Sequence, residues 1–159
     1  MKYHIELPPI SEVLEYKCDV AMAVFKRKYQ VDDIDAEDLW RDTLQWLWLG
    51  RFHEIDCNME KPRQLVIFPQ LLSIDEMWHA FILCTREYHY FCNHFFGCYI
   101  HHAPNKEPDQ ILSIDEFKSN IEYVSNVLGR KIAMRWYVSL PITFENTIEL
   151  SQLTPLSRT

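Results

Sequence analysis

The sequence predicts an all-α fold of four or more helices, and three observations carry that prediction. Apolar residues recur at three- and four-residue spacing through several long windows. Helix-start and helix-stop residues bracket those windows. Only three glycines occur in 159 residues, too few for the turns of an all-β chain. Hydrophobic residues make up 48% and aromatics 14%, so the chain has the apolar content for a packed core and is not of the disordered class. The expected organisation is a single helical domain over 1–150, with 151–159 a frayed tail.

The first window, "PPISEVLEYKCDVAMAVFKRKY", opens on two prolines and Ser11, a good N-cap. Leu14, Cys18, Ala21 and Phe25 then recur as one helical face. The second starts after Asp35 with "AEDLWRDTLQWLWLG". Its acidic first turn suits the positive end of a helix dipole, Leu39, Trp40, Leu44, Leu47 and Trp48 form its apolar face, and Gly50 is placed to stop it. "QLVIF" at 64–68 reads as a short extended piece ending at Pro69. The letters "LSIDE" occur at 72–76 and again at 112–116, and Ser-x-x-Glu is a capping box in both places. They predict helices running from about 74 to Gly97 and from about 114 to Gly129, with a loop between. The segment 132–145 reads equally as helix or strand up to Pro141.

Charge and cysteine usage bound the partners. Sixteen basic residues against 23 acidic ones give a net charge of −7, which repels phosphate backbones and argues against nucleic acid. No apolar run approaches the ~20 residues needed to cross a bilayer, so no membrane insertion is expected. "MKYHIELPP" is too polar for a secretory signal. With an odd number of cysteines (Cys18, Cys57, Cys84, Cys92 and Cys98), the chain reads as cytoplasmic with free thiols. If Trp46 or Trp48 lies outside the core, a homodimer seam is its expected use.

The segment 73–102 holds five of the seven histidines and three of the five cysteines. On one continuous helix, Met77, Phe81, Cys84, Tyr88, Phe91, Cys92 and Phe95 form a core stripe. The other side carries Asp75, His79 and Arg86, with Trp78 large enough to wall a pocket beside them. Asp75 and His79 stand at i,i+4, so the carboxylate is expected to accept a hydrogen bond from the imidazole. Such a pair orients a metal ligand or a general base. A second cluster gathers past Gly97, where Cys92, Cys98, His101 and His102 are donors of the kind zinc prefers. A straight helix keeps the two clusters apart: from Gly97 the chain would have to return about 27 Å to His79, and the residues up to His102 span at most about 18 Å. A shared site requires the helix to break early. His53 and Cys57 in "HEIDC" are a further i,i+4 pair.

"LLSIDEMWHAFILCTREYHYFCNHFFGCYIHHAP" resembles the glycine-rich domain-containing protein-like family. The matching letters are Asp75, Trp78 and His79; Thr85, Arg86 and Tyr88; Phe91 and Cys92; and Phe96, Gly97, Ile100, His101, His102 and Pro104. The resemblance implies a helical intracellular domain and no particular activity. Larger members of that family show Trp-His-x-His, whereas position 81 here is Phe, and the glycine-rich segment is absent.

Three functions follow as expectations. The first is a non-catalytic module that binds a protein or small-molecule partner through a pocket near Asp75, Trp78, His79 and Arg86. The second is a metal-binding protein, zinc or iron, using the His/Cys-rich segment 75–102. The third is a metal- or Cys/His-dependent hydrolase, although no nucleophile elbow, phosphate loop or HExxH motif is present.

Overall fold

A computed structural model describes residues 6–103 and 113–144, and all of its regular structure is helical. In chain order the helices are α1 (Ile10–Val13), α2 (Asp19–Tyr29), α3 (Asp33–Ile55), α4 (Leu72–Leu83), α5 (Thr85–Phe96), α6 (Ile114–Leu128) and α7 (Arg130–Met134). A 3-10 turn, Pro69–Leu71, leads into α4, and a π-helical turn, Arg135–Ser139, follows α7. No described helix is long and apolar enough to cross a membrane. One apolar core takes side chains from every helix, with Trp136, Tyr88, Phe25 and Phe81 among its largest fully buried members.

The first window divides where a continuous helix was expected. Its helical face holds in α2, where Ala21, Phe25 and Tyr29 are buried, but residues 14–18 leave the helix. The interruption lets Tyr16 act as a pin. Its carbonyl accepts from Trp40 Nε1 at 3.0 Å, its hydroxyl donates to the Glu87 carbonyl at 3.3 Å, and its ring lies 5.0 Å from that of Phe91.

Helix α3 begins at the Asp32 N-cap, whose side chain accepts from the Asp35 amide at 2.8 Å, so Asp35 lies inside the first turn rather than before it. Gly50 does not stop this helix. It continues to Ile55, where the Lys61 ammonium donates to the carbonyls of His53 and Asp56 and thereby closes the C-terminus from outside. Trp46 is buried against Trp136, and Trp48 stacks on Phe52 and donates to the Pro8 carbonyl at 2.9 Å. Trp46 thus lies in the core, and Trp48 is half-buried at its edge.

The piece at 64–68 forms no strand. Asn120 of α6 stands where a neighbouring strand would be: its side chain accepts from the Val66 amide at 3.0 Å and donates to the Gln64 carbonyl at 3.4 Å. The segment 132–144 is helical, including across Pro141. Pro141 lacks the amide that would pair four residues back, and the preceding π turn already offsets the ladder. At that turn Arg135 and the Trp136 indole both donate to the buried Asp42 carboxylate, which ties the π turn to α3.

The two capping boxes diverge. Ser113 and Glu116 form theirs at the start of α6. At the start of α4 the 3-10 turn enters the helix before Ser73, whose hydroxyl is buried inside the first turn without a protein partner. Glu76 is thus free to point elsewhere, toward α2.

The long helix expected from 74 to Gly97 breaks at Cys84, whose backbone (φ −83°, ψ 65°) is not helical. Packing explains the break. Phe81 and Phe91 would stand about 15 Å apart along a straight helix, whereas their ring centroids are 5.3 Å apart. Folding α5 back on α4 gathers Phe81, Tyr88 and Phe91 around Tyr16 and Trp40. Gly97 ends α5 in the left-handed conformation, φ 65°, as its place in the sequence predicts.

Candidate metal centre

The break at Cys84 meets the condition for a shared site. With α5 folded back, the segment after Gly97 returns to the first turn of α4. His102 Nε2 lies 2.5 Å from Asp75 Oδ1. The hydrogen bond of Asp75 therefore goes to His102. His79, the partner expected from helical spacing, stands at 3.7 Å from Asp75 Oδ2, inside ion-pair range but beyond a hydrogen bond. The two imidazole centroids are 4.5 Å apart. One donor atom from each of Asp75, His79 and His102 lies within 4.8 Å of the others, the only such group of His, Cys, Asp and Glu among the described residues.

The surroundings hold these three in place from two sides. Trp78 lies under His102, ring centroids 4.2 Å apart, and its Nε1 donates to the Tyr88 hydroxyl at 3.0 Å. On the other side Glu76 stands 3.9 Å from His79 Nδ1 through one oxygen, while the other accepts from the Tyr29 hydroxyl and from Lys28 Nζ at 2.9 Å. Burial works against ionisation of Glu76, but the Tyr29 and Lys28 donors outweigh it and hold its carboxyl below the usual range. Exposure is uneven. The Asp75 and His102 side chains are 17% and 15% exposed, whereas His79 is 46% exposed and forms the open edge.

The remaining candidates fall elsewhere. Cys92 is fully buried, and burial pushes its thiol up, so it is neither a free nucleophile nor part of the group. Cys98 is half-buried against the core, and His101 is exposed with its ring 4.8 Å from Tyr99. Of the second cluster, only His102 reaches the first. Arg86 was expected beside His79 on a straight helix. It instead lines a shallow, open depression on α5 with His89, Tyr90, Asn93 and His94. His53 bonds the Pro62 carbonyl at 2.6 Å, and Cys57 lies beyond the end of α3, so that pair does not form a site. The sequence marks Glu76 only as a capping residue. A carboxylate three residues before His79 was the available signal for its placement.

These donors suit a divalent first-row ion. A carboxylate and two imidazoles are the set that zinc and iron(II) accept, and three protein donors leave further positions open. Two ligands of one ion stand about 3 Å apart at ordinary bond lengths, so the 2.5 Å contact would have to open slightly to admit an ion.

No curated protein and no solved structure matches the chain. A family model does, the UCP032817-like family, over residues 22–116, more than half of the sequence. That span runs from within α2 through α5 to the first turn of α6 and contains all three donors. It corrects the resemblance to the glycine-rich domain-containing protein-like family, which rested on letters from one quarter of the chain, all within 75–104. The chain belongs to the UCP032817-like family, an uncharacterised one.

Proposed function

We propose that the protein binds one divalent transition ion, zinc or iron(II), through Asp75, His79 and His102. The observation that carries the reading is the convergence of a carboxylate and two imidazoles from α4 and the segment after α5 within 4.8 Å. His79 at the open edge leaves the remaining coordination positions facing solvent, where water or a small exogenous ligand completes the set. An ion held this way supplies Lewis acidity to that ligand. The hydrolase reading is therefore contained in the metal reading as chemistry the site would support. The pocket expected for a partner-binding module included Arg86, which lines a separate depression on α5, whereas the metal centre rests on three named donors.

The test is metal content of tag-free protein purified without added metal or chelator, followed by cobalt(II) titration of chelator-treated protein. About one equivalent per chain is expected, with a raised melting temperature. Asp75→Asn and His79→Ala should each abolish stoichiometric uptake. Uptake below one tenth of an equivalent, with melting unchanged by cobalt or zinc, would refute the reading.

A further inference from the structure

The segment after Gly97 carries His102 to the site, yet it has no regular structure of its own. Its hold on the helices converges on one peptide unit. The Tyr88 hydroxyl donates to the Ile100 carbonyl at 2.6 Å while accepting from Trp78 Nε1 at 3.0 Å. Tyr88 is on the buried face of α5 and is fully buried. One buried hydroxyl thus grips the carbonyl of a residue two positions before His102. The same Tyr88 oxygen holds the indole against which His102 packs.

We infer that Tyr88 is the positioning residue of the centre: its hydroxyl touches none of the three donors but sets whether His102 reaches Asp75 and His79. This deepens the metal reading above and rests on it for its affinity readout. The clamp is a claim about His102 geometry, however, and can be read without metal. Losing the hydroxyl frees both the Ile100 carbonyl and the Trp78 N–H, and His102 loses its register and its backing together. Partners outside the ligand set commonly change metal affinity by about 10- to 100-fold.

The experiment compares wild type with Tyr88→Phe, and with Tyr123→Phe as a control. Tyr123 also donates one largely buried hydroxyl to a carboxylate, that of Asp56 at 2.8 Å, and shares no residue with the centre. Two readouts are taken: cobalt(II) affinity with its visible spectrum, and, in metal-free protein, the imidazole proton shared by His102 and Asp75, followed by nitrogen-15-edited NMR. Tyr88→Phe should bind cobalt at least tenfold more weakly, with an altered spectrum, and lose the shared proton, while Tyr123→Phe changes neither. If Tyr88→Phe does not fold, Trp78→Phe, which removes the N–H that the Tyr88 hydroxyl accepts, carries the same comparison with a smaller expected loss. Wild-type affinity in the folded variant overturns the inference. If wild type itself takes up no cobalt, the metal reading falls, and the shared proton alone decides the clamp: its survival in Tyr88→Phe overturns it.

Discussion

Asp75 and His102 stand 27 residues apart in the chain and share a 2.5 Å hydrogen bond. The same two groups are proposed ligands, so the bond occupies the atoms an ion would need. Metal uptake then competes with a proton at the imidazole nitrogens. Cobalt affinity should fall by more than about tenfold between pH 8 and pH 6. Titrations at the two pH values check this, and a pH-independent affinity would rule out histidine ligation.

Glu76 links the centre to α2 through Tyr29 and Lys28. Its folded-state pKa is depressed, so its contribution to stability is complete above the ordinary glutamate range and is lost as pH falls through the depressed value. Glu76→Gln should cost about 1–2 kcal/mol at neutral pH, the modest end because Lys28 is well exposed. Urea unfolding at a series of pH values should show the gap between wild type and variant closing in acid. A gap that widens in acid would contradict the assignment.

The buried Asp42 ties α3 to the π turn. Burial pushes its carboxyl up, against the opposing pull of Arg135 and Trp136. Asp42→Ala strands the Trp136 N–H in the core and leaves Arg135 without its counter-charge, at an expected cost of about 3 kcal/mol. Asp42→Asn keeps an acceptor for the indole and should cost less. Denaturant midpoints of the two variants give the comparison; equal losses would mean the charge matters more than the hydrogen bond.

Thiol reactivity follows burial. Cys57 is exposed and Cys98 half-buried, while Cys18, Cys84 and Cys92 are buried, with their thiols pushed up by that burial. A chromogenic disulfide reagent should label Cys57 quickly, Cys98 more slowly, and the other three only on unfolding. Rapid labelling of Cys92 in the native protein would contradict its burial.

Much of the fold was legible because its signals are local. The helical periods of α2, α3 and α6 need only neighbouring residues, as do the capping box at Ser113 and the left-handed Gly97. The misreadings arose where a distant residue outbid a local preference. Tyr16 interrupts the first helical window, Asn120 replaces a strand partner for residues 64–68, and Glu76 leaves its capping position for Tyr29 and Lys28.

The centre divides in the same way. By itself the sequence determined that Asp75 and His79 share a helix face, and that His102 is a donor of the right kind. Only the tertiary structure decided that His102 joins them, because the break at Cys84 carries neither proline nor glycine to announce it. That break exists because rings ten residues apart bury more surface together than a straight helix would allow. Aromatic packing between α4 and α5, rather than any local motif, brings the three proposed donors together.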